Sequence, residues 1–263
     1  MMRIVVLLNL VLLTCIRPVW AQVSERVVDI PTRLGVTQRF LLLAPENPKA
    51  AVILFAGGNG GLQISPEGDF KLGKLNFLVR SRQMFSAQGL MVAVVDAPSD
   101  RLQPPYLRGF RERPEHVADI KAVIAWLKQQ ADIPVWLVGT SRGTESAAFI
   151  ATQLSLADGG PDGLVLTATM LKDDEAWPVP DMALEKLAIP VLVVHHKQDG
   201  CKYCPYKGLP RLMKKLNGVP KKELLTVKGG KDGGNACESL GYHGFNGIEA
   251  NVVEKIADWL IAK

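Results

Sequence analysis

The sequence predicts an α/β fold: a mainly parallel, eight-stranded sheet flanked by helices, with no large lid domain. Three observations carry this. Eight short runs rich in β-branched and aliphatic residues recur at 26–30, 37–43, 51–55, 91–95, 135–138, 164–167, 191–194 and 224–227. From residue 51 onward most are continuous aliphatic runs, the pattern of strands covered on both faces. Between them lie segments of helical period, with Val117, Ile120, Ile124 and Leu127 sharing one face, and Ile248, Val252, Ile256, Trp259 and Leu260 another.

Taken in order, the chain opens with Arg3, an apolar run over 4–16, and Pro18-Val19-Trp20-Ala21, a small-residue cleavage signature. The run is shorter than the roughly 20 residues a membrane span needs. Residues 1–21 are therefore expected to be removed as a signal peptide, leaving an exported chain without a membrane span; retention as an anchor is the alternative. Residues 22–263 suit a single α/β domain with a full core.

The formal net charge of +5 loses the two positive charges of Arg3 and Arg17 with that segment, leaving +3. That is too little to argue for a nucleic-acid partner. Lys214, Lys215, Lys221, Lys222, Lys228 and Lys231 gather late in the chain, as a solvated helix face and rim would. The sequence carries no signal of oligomeric state.

Leading strands that pair antiparallel, followed by alternating strands and helices, place functional loops at the carboxyl ends of the parallel strands. The stretch 168–189 contains Trp177-Pro178-Val179-Pro180 and leaves room for a loop and one short helix. The pocket is accordingly expected to be shallow or loop-lined.

Gly139-Thr140-Ser141-Arg142-Gly143 matches G-x-S-x-G between a predicted strand and a predicted helix. Taken alone the pattern also fits a structural turn. In this context it raises a serine on a strained turn, with glycines two residues to either side where side chains would collide. A serine hydroxyl is a poor nucleophile by itself, so a base and an orienting acid must follow in the order Ser, Asp or Glu, His. Asp199 lies in His195-His196-Lys197-Gln198-Asp199-Gly200 after a strand, and His243 lies in Gly241-Tyr242-His243-Gly244-Phe245 after the last strand. Asp173 and Asp174 are rival acids.

On these residues the chain resembles the α/β-hydrolase superfamily, and more narrowly its secreted, lid-less, dienelactone-hydrolase-like branch, most firmly from Ala51 onward. The resemblance implies Ser141 as nucleophile, His243 as general base and then acid, and Asp199 as the carboxylate orienting the imidazole. It implies an oxyanion hole from the backbone N–H of Arg142 and one donor of Ala56-Gly57-Gly58-Asn59-Gly60-Gly61, with Gly58 first and Asn59 second. Many relatives begin that loop with histidine-glycine, where this chain has alanine-glycine. A phosphate-cradling reading lacks the lysine and serine of a P-loop.

Other polar residues receive lesser roles. Asp96 and Asp100 are expected to fix a turn at the cleft rim, and Tyr106 and Phe110 to line the acyl pocket or cover the core. One of His195 and His196 should pack inward as a hydrogen-bonded core residue, neither being catalytic. Cys201, Cys204 and Cys237 remain after processing, and export predicts one disulfide with one thiol left over. Cys201 with Cys237 comes first, since it would tie the acid loop to the base loop, and Cys204 with Cys237 second.

The expected activity is hydrolysis of an ester or related small-molecule acyl substrate through an acyl-serine, with no cofactor and no metal. Peptide cleavage or acyl transfer would use the same residues. A metal- or thiol-binding protein built on Cys201, Cys204, His195 and His196 is the alternative from another class; its ligands lack the paired spacing of a zinc site.

Overall fold

The computed structural model describes residues 23, 25–173 and 176–262. The expected signal peptide lies outside the described residues. Eight strands form one sheet in the order β1-β2-β4-β3-β5-β6-β7-β8: β1 (Glu25–Arg33), β2 (Val36–Leu43), β3 (Ala50–Phe55), β4 (Leu90–Val95), β5 (Val135–Thr140), β6 (Gly163–Thr167), β7 (Val191–His196) and β8 (Lys222–Val227). β2 runs antiparallel to β1 and β4, and every other pairing is parallel. Each strand overlaps one of the runs expected from the sequence.

Every residue of β3, β4, β5, β6 and β7 is buried, which is why these strands read as unbroken apolar runs rather than alternating ones. Successive side chains still divide between the two faces. Ala51, Ile53 and Phe55 enter one core with Ile120, Val123 and Ile124 of α3 (Pro114–Gln130), Ile150 of α4 (Gly143–Gln153) and Leu212 of α5 (Leu209–Lys215). Val52 and Leu54 enter the other, with Phe77 of α1 (Phe77–Arg80), Phe85 of α2 (Arg82–Ala87), and Val252 and Ile256 of α6 (Glu249–Ile261). β8 is the sheet edge and only partly buried.

The connection from β6 to β7 is a loop with short helical turns, as expected, but with two of them rather than one: its described residues form 3-10 turns at Val179–Asp181 and Leu184–Lys186. Pro178 stands at the N-cap and Pro180 in the first turn of the first of these, where a missing N–H removes no intrahelical bond. No described residues build a large lid there.

Candidate active site

The carboxyl ends of β3, β5 and β7, with the loop after β8, bring the predicted residues together. After β5 the chain turns at Ser141, whose φ of 51° lies in the left-handed region that costs a non-glycine residue energy. The two motif glycines allow this turn. A Cβ on Gly139 would stand 2.4 Å from the carbonyl oxygen of Gly143, and one on Gly143 would stand 2.1 Å from that of Phe55. The turn is pinned by Ser141 N–H donating to Thr167 O (3.0 Å) and by the Thr144 hydroxyl donating to Ser141 O (2.6 Å). The backbone of Arg142 follows at the amino end of α4.

Asp199 lies in the turn after β7. Its Oδ1 accepts from the N–H of Cys201 (2.9 Å), and its Oδ2 stands 2.9 Å from Nδ1 of His243. Burial opposes ionisation of this carboxyl, but hydrogen bonds from His195 and then His243 outweigh it and hold the group down at about 2. An ionised carboxylate only accepts, so Nδ1 of His243 donates in this pair. Nε2, on the other side of the ring, is buried and has no hydrogen-bond partner among the described residues. Of the rival acids, Asp173 pairs with Arg142 (Nη1 to Oδ2, 2.5 Å), and Asp174 lies outside the described residues.

The loop bearing His243 is held from several sides. Tyr242 stacks on His196 with ring centroids 4.5 Å apart, and Phe245 packs on Phe77 at 4.8 Å. Arg80 donates to the carbonyl of Gly244 (2.6 Å) and pairs with Glu249 (2.9 Å). Both histidines of β7 are buried, where one was expected. His196 accepts from the N–H of Gln198 and donates to Gly229 O. His195 donates through Nε2 to Cys204 O at 2.9 Å, with Asp199 Oδ2 at 3.4 Å from the same nitrogen. Asp199 thus faces two imidazoles, a relationship sequence reasoning missed. The signal was the spacing from His195 to Asp199 across a strand end.

Ser141 and His243 line one small cavity of about 40 Å³ with Gly57, Gly58, Asn76 and Cys237. It adjoins a groove of about 590 Å³ walled by residues 56–62, 71–76 and 237–239. Gly58 belongs to both, whereas Asn59 lines only the groove and its carbonyl accepts from Leu107 N–H (2.9 Å). Tyr106 lines the groove, while Phe110 is buried against Ala97 and Leu107. A separate cavity of about 560 Å³, beside Asp29 and Arg39, includes neither Ser141 nor His243.

The glycine loop is fixed by buried polar groups. Asp96 accepts the N–H groups of Leu62, Gln63, Ile64 and Ala97, so it organises the rim from within; Asp100 pairs with Arg33. Buried Arg111 donates to the carbonyls of Ala56 and Gly58 and to Ser146, which also bonds His116. Burial lowers the Arg111 guanidinium to about 10 and the His116 imidazole to about 3, so this network carries a single positive charge at neutral pH.

Cys201 and Cys237 form a disulfide, and Cys204 is a buried free thiol. Its Sγ donates to Met170 Sδ at 3.6 Å, and burial, then the negative charges of Asp199 and Glu145, push the thiol well above its ordinary range. Cys201, Cys204 and His243 each offer a possible metal-ligating atom within 4.8 Å of the others. Cys201 is oxidised, however, and only a thiolate ligates in the zinc-site manner. His195 and His196 spend their Nε2 protons on backbone carbonyls instead of joining this group.

The strand order and the turn at Ser141 define the α/β-hydrolase fold. No protein-family model matches the sequence, and no curated protein matches it. Among solved structures the chain is similar to the dienelactone hydrolase of Anabaena variabilis, at 15% identity and a TM-score of 0.64 over 91% of this chain and 98% of that one. It is also similar to a cold-adapted esterase from an Arctic intertidal metagenomic library (16%, TM-score 0.61, 90% and 94%) and to an esterase of Pyrococcus furiosus (12%, TM-score 0.63, 90% and 91%).

Proposed function

We propose that the protein is a serine hydrolase that cleaves an ester or related acyl substrate through an acyl-serine intermediate. The observation that carries this reading is His243: its Nδ1 faces Asp199 at 2.9 Å, its Nε2 has no partner among the described residues, and it shares one cavity with Ser141. In the proposed reaction the Ser141 hydroxyl turns toward Nε2 of His243, a contact that tightens when substrate binds.

Ser141 Oγ then attacks the acyl carbon as its proton passes to His243 Nε2. The carbonyl oxygen becomes an oxyanion facing the backbone N–H of Arg142 and the glycine loop at Gly58. Collapse of the tetrahedral adduct expels the alcohol, which takes the proton from His243. Water, deprotonated by the same nitrogen, attacks the acyl-serine, and the proton passes from His243 Nε2 to Ser141 Oγ as the acid leaves. The neighbours of this fold are hydrolases and esterases by description, which supports the reading. A peptide bond or an acceptor alcohol would engage the same atoms. The disulfide supports work in an oxidising compartment, in keeping with export.

The test is a panel of p-nitrophenyl esters of rising chain length, with labelling by a fluorophosphonate probe, on wild type and Ser141→Ala. Turnover and labelling that vanish together in Ser141→Ala are expected. Labelling that survives the substitution overturns the assignment.

A further inference from the structure

We propose that the side-chain amide of Asn76 is a further donor to the substrate's acyl oxygen, a catalytic residue on a segment remote from the strand ends that carry Ser141, Asp199 and His243. The inference rests on the serine-hydrolase reading above.

Asn76 immediately precedes α1, and its Oδ1 accepts from the N–H of Leu78 at 3.1 Å. Only the oxygen of the amide can accept, so this bond decides which way the group is turned: Oδ1 toward the helix and the NH₂ away from it. Nδ2 points at the oxyanion loop. A Cβ on Gly57 would meet Ser141 Cβ at 3.0 Å and Asn76 Nδ2 at 3.3 Å, so the serine and the amide flank the same bare face of that glycine. Both line the small cavity with His243, and Asn76 also lines the 590 Å³ groove, placing its amide where the two meet.

Nδ2 carries two protons, can accept nothing, and donates to no acceptor among the described residues. A donor already oriented by its own cap needs no reorganisation as charge develops on a nearby oxygen, the property that makes an oxyanion-hole group effective. This loop starts with Ala56-Gly57 and has no side-chain donor at those positions, so a neutral amide from the facing segment supplies the missing contact.

The experiment compares Asn76→Asp and Asn76→Ser with wild type. Both keep an oxygen able to cap Leu78, and both lack the NH₂; the serine variant adds no charge. Three quantities are read: kcat and KM on p-nitrophenyl butyrate, the Kd of a phenylboronic acid, and the thermal midpoint. We expect kcat to fall about 100-fold or more in both variants, boronate affinity to fall with it, and KM and the midpoint to change little. If Asn76→Ser folds with the wild-type midpoint yet keeps kcat and boronate affinity within about threefold, the inference is overturned, whatever the aspartate does. If Asn76→Ser loses its midpoint, Asn76→Gln decides: boronate binding intact there, with the amide displaced by a methylene, overturns the proposal, and binding lost supports it. Fluorophosphonate labelling of wild type is run alongside. Ser141 labelled at equal rates in wild type and variants sinks the Asn76 role alone, whereas no labelling at Ser141 sinks the hydrolase reading beneath it.

Discussion

Nδ1 of His243 stands 2.9 Å from Oδ2 of Asp199, although the two residues belong to loops that follow different strands. The carboxylate selects the tautomer protonated at Nδ1, the one the proposed reaction needs with Nε2 as its base. Asp199→Asn keeps the shape but allows an amide N–H to face the ring, which favours the opposite tautomer. Turnover is expected to fall by about 10³- to 10⁴-fold with the fold intact. The measurement is kcat/KM beside a circular dichroism melt. A loss under about tenfold means that the pair does not govern the chemistry.

His195 shares the carboxylate, with Nε2 3.4 Å from Asp199 Oδ2 and 2.9 Å from Cys204 O. His195→Phe preserves an edge-on ring against Tyr206 but leaves both oxygens with one donor fewer. The stability cost should be about 1–3 kcal/mol. Loss of a donor should also raise the Asp199 carboxyl above its value of about 2, a shift read directly by NMR titration of that carboxyl. An Asp199 titration identical to wild type, in a variant that is merely less stable, would mean that His195 only packs.

The disulfide joins the Asp199 turn to the loop before His243, and Cys237 lines the cavity itself. It closes a separation of 36 residues, for which chain entropy alone implies roughly 3–4 kcal/mol. Cys201→Ala with Cys237→Ala should lower the denaturant midpoint accordingly and reduce kcat. Lower stability with unchanged kcat removes the idea that the bond positions the site.

Glu145, in the first turn of α4, has a carboxyl raised by burial to about 8, with Arg142 Nη1 3.8 Å away, too far for a hydrogen bond. Between the unfolded value of 4.5 and about 8 the folded state holds one proton more than the unfolded chain, so stability falls as pH rises through that window. Glu145→Gln cannot ionise and loses this slope. Relative to wild type, the variant should gain on the order of 4 kcal/mol between pH 5 and pH 9 in urea titrations. Parallel stability curves would show that Glu145 is ionised in the native state throughout.

Much of the fold was legible because strands buried on both faces must be apolar at every position, as β3 to β7 are. Ser141 was legible for a local reason as well: Gly139 and Gly143 have no room for a Cβ, so the turn leaves its mark within five residues. The β6–β7 connection was legible in its length and prolines as a loop with little regular helix, whereas its division into two 3-10 turns rests on the burial of Val179 and Leu184 in the core.

By itself the sequence determined the class of sheet, the strained serine turn, and the chain order of serine, carboxylate and histidine, because each is dictated by local sterics or by a hydrophobic period. Only the tertiary structure decided that Asp199 faces two imidazoles, that Cys201 and Cys237 come together across two loops, and that Asn76 turns its amide toward Gly57. Those contacts depend on distances between loops that follow different strands, and sheet order and loop closure set such distances while leaving no periodic trace along the chain.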